Sequence, residues 1–152
     1  MSMSTVSELL AARVLAQVLH YGQVDKAGRP YIEHVERVTA AVGLDAAPAA
    51  CLHDLVEDTH VTLDGLAAGG FCTATLAAVD ALTRRDGESY RDYIDRLATN
   101  AIARAVKLAD LRDNLDPRRV EAARAGGHDT TALEQRYNDA VLRLLAREER
   151  AA

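Results

Sequence analysis

The chain has 152 residues and a formal net charge of −5, and aromatic residues make up only 4% of it. A chain of this length can bury one substantial core, so a single domain spanning residues 1–152 is expected. The acidic balance and the lack of a basic cluster interleaved with aromatics argue against nucleic-acid binding. No apolar run is long enough to cross a membrane and no signal segment begins the sequence, so a cytoplasmic protein is expected.

The predicted elements are helices, because the composition is rich in Leu, Ala, Arg and Glu and poor in the aromatic residues that fill sheets. An all-α bundle of about eight or nine helices is expected. In chain order, helices are predicted from a Thr5/Glu8 capping box to about His20, from Pro30 to Val42, from Asp45 to about Asp58, briefly from Thr62, from Phe71 to Leu82, from Ser89 to Ala98, from Asn100 to Leu115, from Asp116–Pro117, and from a Thr131/Glu134 capping box.

Two of these helices show a clear apolar face. In the first, the residues spaced four apart on one face are Val6, Leu10, Val14 and Val18. In the last, the face consists of Leu133, Tyr137, Val141, Leu144 and Leu145. The second face is expected to lie against the bundle.

Polar residues lie in the middle of the otherwise apolar third helix. His53 and Asp54 are adjacent there, and Glu57 and Asp58 follow at spacings that place all four on one flank of a helix. So much negative charge calls for a cation. Imidazole together with carboxylate suits Mn²⁺, Fe²⁺ or Zn²⁺ better than Ca²⁺.

Further candidate ligands lie on two other helices. Lys107, Asp110 and Asn114 share one face of an apolar run, and Asp110 could be a remote ligand of the same metal. His34, one turn into the second helix, could enter the same site. Three helices would then donate His34, His53–Asp54 and Asp110 to one ion, as helical bundles commonly do.

Each of these residues also has an ordinary interpretation. His34 could be a core or surface histidine, Glu57 and Asp58 could be solvated charge at a helix end, Asp110 could pair with Lys107, and Asn114 could be a helix C-cap. The joint pattern favours the metal site over these separate alternatives.

Four separated segments together resemble a known family. They are HYGQVDKAGRPYIEH (20–34), CLHDLVEDTHVT (51–62), LTRRDG (82–87) and VKLADLRDN (106–114). In order and spacing they resemble the HD-domain hydrolases of the RelA/SpoT alarmone group, especially the stand-alone small alarmone hydrolases. The resemblance covers most of residues 10–115.

The resemblance implies an HD-type helical fold and a Mn²⁺ ion held by the residues matching His34, His53, Asp54 and Asp110. It implies that Glu57 and Asp58 orient or deprotonate the attacking water. It also implies hydrolysis of the 3′-pyrophosphate of guanosine tetra- or pentaphosphate, giving GDP or GTP and pyrophosphate. Because no synthetase domain follows in this sequence, degradation alone is expected.

The resemblance also implies contacts with a nucleotide substrate. Lys26 matches a cation that faces the pyrophosphate, Arg84 could add to it, and Asn114 matches a residue near the ribose. Tyr137 could match a tyrosine that lines the nucleotide pocket, although a core tyrosine at helical spacing fits equally well. The chain departs from the family at Asp25, where relatives carry an arginine, and this reversed charge would weaken the contact with the nucleotide.

Three functions remain open from the sequence. The first is an alarmone pyrophosphohydrolase that acts on guanosine forms and could also accept adenosine forms. The second is a broader HD nucleotide phosphohydrolase, which Asp25 would favour. The third is a non-catalytic, metal-stabilised partner that neutralises a toxin synthetase, although a purely structural metal site would not need Glu57 and Asp58.

Overall fold

The computed structural model describes residues 3–151, which form ten helical segments and no extended strand. This confirms the predicted all-α class. The helices are α1 (Thr5–Leu19), α2 (Tyr31–Ala40), α3 (Ala47–Leu52), α4 (Leu55–Asp58), α5 (Leu63–Ala68), α6 (Thr73–Leu82), α7 (Tyr90–Leu97), α8 (Ala101–Asn114), α9 (Pro117–Ala125) and α10 (Thr131–Ala151).

Helix α3 lies at the centre of the bundle. It packs against α1, α2, α6 and α8, and all six of its residues are buried. Four of the six are small, being alanine or cysteine, so neighbouring helices can approach closely on every side. The C-terminal end of α3, which leads into His53, therefore lies deep inside the protein.

Helix α8 is the second internal helix, and it contacts α2, α3, α6, α9 and α10. Val106, Ala109 and Leu111 are buried in the core. Asp110 is buried too, at 4% exposure, and so needs compensating partners. Together α2, α3 and α8 bring the candidate ligands to one place.

The N-terminal helix corrects one expectation, its capping box. Its N-cap is Ser4, whose hydroxyl accepts a hydrogen bond from the Ser7 backbone N–H, so the predicted Thr5/Glu8 capping box does not form. Glu8 points inward instead and accepts hydrogen bonds from the N-terminus of α6, including the Cys72 backbone N–H at 2.5 Å. The helix buries a different side from its most apolar one.

The apolar residues predicted to share one face of α1 are exposed to solvent. These four residues are between 57% and 66% exposed: Val6, Leu10, Val14 and Val18. The buried side carries Ala12 and Ala16, whose small side chains allow close packing on α3.

The predicted apolar face of α10 lies against the bundle, with Leu144 fully buried and Tyr137 packed against the core. However, Glu134 accepts a hydrogen bond from the Thr130 hydroxyl, and within residues 3–151 no capping contact with Thr131 is seen.

The predicted continuous helix from Asp45 to Asp58 is interrupted at His53–Asp54. Helix α3 ends at Leu52, and the single turn of α4 begins at Leu55. Asp54 has φ −111° and ψ −3°, outside regular helical geometry. The four polar residues therefore do not line one flank of one helix.

None of the helices in residues 3–151 is both long and apolar enough to span a membrane.

Candidate active site

His53 stands at the break between α3 and α4. Its Nδ1 lies 2.7 Å from the Ala50 carbonyl oxygen, and because a carbonyl only accepts, Nδ1 carries the hydrogen. The other nitrogen, Nε2, is buried and has no hydrogen-bond partner. It lies 2.8 Å from a carboxylate oxygen of Asp54, in poor hydrogen-bonding geometry, and 3.9 Å from Asp110 Oδ1.

His34 reaches the same point from α2. Its Nδ1 lies 2.7 Å from Asp113 Oδ2, and because a carboxylate only accepts, Nδ1 donates there. Its Nε2 then faces Asp110 Oδ1 at 3.2 Å. Both imidazoles are thus oriented by a second partner so that Nε2 points at the same carboxylate, which is the usual arrangement of metal-binding histidines.

Asp110 is fixed by two neighbours on α8. The Lys107 ammonium donates to Oδ2 at 2.8 Å, and the Asn114 amide donates to Oδ1 at 2.7 Å. Burial raises the pKa of Asp110, but the Lys107 charge and the two histidines hold it well below its usual range. The carboxylate therefore stays ionised inside the protein.

These three side chains have the chemistry of a metal site. One ligand atom each of His34, His53 and Asp110 lie within 4.8 Å of one another. The lone pair of a neutral Nε2 aimed at a carboxylate is repulsive unless a proton or a cation lies between them. The residues therefore fit a divalent metal ion.

Without a metal, protons take this role. Burial lowers the pKa of His53, but the Asp54 and Asp110 carboxylates outweigh this and raise it to about 9. The pKa of His34 is raised as well, since the carboxylates of Asp110 and Asp113 outweigh its burial. Protonated histidines in this cluster would give way to a bound metal.

Asp54 lies beside this cluster but is not one of the three residues whose ligand atoms lie together. Its Oδ2 accepts a hydrogen bond from the Tyr31 hydroxyl and lies beside His53. Its predicted place as a fourth ligand stays a prediction. Tyr31 itself was missed from the sequence, although it lies three residues before His34 on the same helix.

Glu57 and Asp58 lie on α4, directly after the break, and both are exposed. Partial desolvation raises the pKa of each carboxyl, and the nearby Asp54 charge raises it further. The Arg84 backbone N–H donates to Glu57 and opposes part of this shift. Two carboxylates of raised pKa beside a candidate metal centre are suited to accepting a proton from water.

A cavity of about 290 Å³ opens between the loop after α1, Tyr31, and helices α8, α9 and α10. Three of the predicted substrate contacts line it, namely Lys26, Asn114 and Tyr137. Arg84 does not line this cavity; its guanidinium donates to the Glu88 carbonyl oxygen instead, at 3.0 and 2.6 Å. The predicted role of Arg84 therefore has only the backbone contact to Glu57 in its favour.

The structure explains the unexpected charge at Asp25. Its side chain is 6% exposed and pairs with the Arg119 guanidinium at 2.9 Å. Burial raises the pKa of Asp25, but hydrogen bonds from Arg29 and Arg119 outweigh it and lower the pKa. The negative charge of Asp25 is thus paired within the protein, and the weakened nucleotide contact expected from it stays a prediction.

Two curated proteins show which group this chain resembles. No family model matches the chain. It is 33% identical over 126 residues to the GTP pyrophosphokinase of Streptomyces coelicolor, covering 74% of this chain and 15% of that protein. It is 35% identical over 100 residues to the guanosine-3′,5′-bis(diphosphate) 3′-pyrophosphohydrolase of Vibrio cholerae, covering 62% of this chain and 14% of that protein. The chain is therefore similar to proteins of the RelA/SpoT group. It spans only about a seventh of the length of these RelA/SpoT relatives.

The RelA/SpoT fold is supported by a solved structure of similar size, described as a metazoan ortholog of SpoT that hydrolyzes ppGpp. The match has a TM-score of 0.62 at 20% sequence identity, and it covers 94% of this chain and 97% of that chain. Nearly all of this chain therefore shares the helical architecture of that protein.

Proposed function

We propose that this chain is a metal-dependent hydrolase that removes the 3′-pyrophosphate from guanosine tetra- or pentaphosphate, giving GDP or GTP and pyrophosphate. One observation carries the proposal. The buried Nε2 atoms of His34 and His53 converge with Asp110, beside two carboxylates of raised pKa. The names of the Vibrio relative and of the metazoan structure support the substrate.

The proposed metal ligands are His34, His53, Asp54 and Asp110, and the proposed ion is Mn²⁺, although another divalent transition metal would suit the same donors. When bound, such an ion lowers the pKa of water and offsets charge on a phosphoryl oxygen. Neighbouring groups in this chain already orient the proposed ligands. Asp113 and the Ala50 carbonyl fix the two imidazole rings, and Lys107 keeps Asp110 ionised.

Proton transfer is assigned to Glu57 and Asp58. A carboxylate with a raised pKa accepts a proton more readily at neutral pH than an ordinary one does. The Arg84 backbone N–H holds the Glu57 carboxylate in place. Glu57 and Asp58 are proposed to orient the attacking water and to accept its proton as the new phosphorus–oxygen bond forms. The bond from that phosphorus to the ribose 3′ oxygen breaks, so pyrophosphate is released and the 3′ oxygen takes up a proton to become the hydroxyl of GDP or GTP.

Substrate contacts are assigned to the cavity. Lys26 places an exposed cation at its wall, suited to a pyrophosphate oxygen. The Tyr137 ring also lines the cavity, 6.4 Å from the Tyr90 ring, and offers a partly buried aromatic surface for a base or ribose. Asn114 links this cavity to the metal site through its hydrogen bond to Asp110.

The test is turnover of a panel of ppGpp, ppApp and nucleoside monophosphates by Mn²⁺-loaded protein, following pyrophosphate and orthophosphate separately. We expect pyrophosphate and GDP from ppGpp, with a large loss in Glu57→Gln and none in the matched exposed variant Glu121→Gln. Release of orthophosphate alone would instead indicate a broader HD phosphohydrolase. No turnover with metal bound would indicate a non-catalytic binding partner.

A further inference from the structure

Both carboxylate oxygens of Asp25 accept hydrogen bonds from groups within the protein. Oδ1 accepts hydrogen bonds from the backbone N–H groups of Ala27 and Arg29, at 2.9 and 3.0 Å. Oδ2 accepts from Arg119 at 2.9 Å. The two backbone contacts bracket the turn that follows Lys26. Asp25 therefore shapes the loop that presents Lys26 and attaches that loop to α9.

The other amino group of Arg119 contacts residues beside the proposed metal site. Nη1 donates to Asp113 and to Asn114 Oδ1, the latter at 3.0 Å. Asp113 is the carboxylate that fixes the His34 ring, and Asn114 is the amide that donates to Asp110. One guanidinium therefore contacts the partners of two proposed metal ligands and the anchor of the Lys26 loop.

The charges around Arg119 are balanced. Asp25 and Asp113 contribute two negative charges, and Arg119 and Arg37 contribute two positive ones, Arg37 lying 2.6 Å from Asp113. The Arg119 side chain is 19% exposed, so these pairs are largely shielded from water. A planar guanidinium donates in two fixed directions at once, which a lysine ammonium on a flexible stem does not reproduce.

We propose that Arg119 is a positioning residue that couples the substrate loop to the metal centre, with Asp25 as its anchor. Through Asp113 it fixes the His34 ring, and through Asp25 it fixes the loop carrying Lys26. The acidic residue at position 25 thus serves to hold an arginine in the cavity wall. The part of this inference that concerns substrate rests on the proposed function.

The experiment compares Arg119→Met, Arg119→Lys and Asp25→Asn with the neighbouring control Arg118→Met, whose side chain is 91% exposed. Mn²⁺ affinity of the metal-free proteins is measured by calorimetry, and KM and kcat for ppGpp are measured separately. Thermal unfolding verifies that each variant is folded.

We expect Arg119→Met to weaken Mn²⁺ binding by roughly 10- to 100-fold, the usual effect of losing a partner that orients a metal ligand. Arg119→Lys should recover only part of this affinity, because it restores charge without the planar fork. Asp25→Asn should raise KM several-fold with little change in Mn²⁺ affinity. Arg118→Met should match the wild type in every measurement.

The inference is overturned if Arg119→Met binds Mn²⁺ as tightly as Arg118→Met and has the same KM. It is also overturned if Arg119→Lys is fully equivalent to wild type, since charge alone would then suffice. Should Arg119→Met fail to fold, Arg119→Lys and the nearly isosteric Asp25→Asn decide the question. If the wild type does not turn over ppGpp, the proposed function fails, while the Mn²⁺ affinities still test Arg119.

Discussion

Replacing Asp110 by asparagine should destabilise the metal-free protein strongly. Asp110 is the acceptor for the Lys107 ammonium, whose side chain is 14% exposed. Burial lowers the pKa of Lys107, but the Asp110 charge outweighs burial and raises it well above its ordinary value, so lysine remains charged. Removing one partner of a buried pair leaves the other charge uncompensated, which costs about 3 kcal/mol or more.

For a domain of this size, a loss of about 3 kcal/mol corresponds to a fall of roughly 6–12 °C in Tm. The assay is urea unfolding followed by far-ultraviolet circular dichroism in the presence of a chelator. The same substitution at Asp95, whose side chain is 52% exposed in its pair with Arg143, is the control and should cost less than about 1 kcal/mol.

A second variant isolates the cause. Adding Lys107→Met to Asp110→Asn removes the unpaired charge and should recover part of the lost stability. If Asp110→Asn costs no more than the Asp95→Asn control, or if Lys107→Met destabilises the double variant further, then the buried pair does not have the energetic role argued from its geometry.

Three further predictions concern the site and the fold. Glu57→Gln should leave Mn²⁺ affinity unchanged and lower kcat, measured by pyrophosphate release, by roughly 10²- to 10⁴-fold. A parallel loss of bound metal would indicate that Glu57 is a metal ligand instead. Because the pKa of His53 is raised to about 9, Mn²⁺ must displace a proton from its ring, so the apparent Mn²⁺ affinity should rise with pH up to about 9 and not level off near the ordinary histidine pKa of 6.5. Calorimetry in buffers of different ionisation enthalpy counts the protons released on binding. Release of no proton near neutral pH would refute this prediction. Glu8→Ala should lower the free energy of unfolding, measured with urea, by about 1–3 kcal/mol, because it leaves the Cys72 N–H and the Thr75 hydroxyl without their acceptor. A change within error of zero would contradict the inward orientation of Glu8.

The helical class and the three clustered candidate ligands could be predicted because they depend on local pattern. Helical spacing and capping signals give most element positions, and the joint occurrence of His34, His53 and Asp110 in separated motifs indicated one site. The structure brings those three together. Asp54 remains a predicted fourth ligand, held by Tyr31 beside the cluster.

Sequence patterns did not predict features that depend on tertiary packing. In α1 the valine and leucine stripe has the correct helical period, but periodicity does not tell which face is buried, and the alanine face packs on α3 because it allows closer approach. The break at His53–Asp54 has no proline or glycine beside it, so no local signal in the sequence marks it.

The role of Asp25 could not be derived from its own segment. Its partner, Arg119, lies 94 residues later in the chain, and nothing local distinguishes a carboxylate that faces substrate from one that holds an arginine. Similarly, Asp113 is recognisable as a partner of His34 only once α2 and α8 are seen side by side.

The most direct test of the central claim is product analysis of ppGpp hydrolysis by wild type and His53→Gln, each with excess Mn²⁺ or with chelator, alongside the metal content of each protein. We predict one pyrophosphate and one GDP per ppGpp from the Mn²⁺-loaded wild type, no products with chelator, and loss of both bound metal and turnover in His53→Gln. Undiminished pyrophosphate release by metal-free protein or by His53→Gln would contradict the claim.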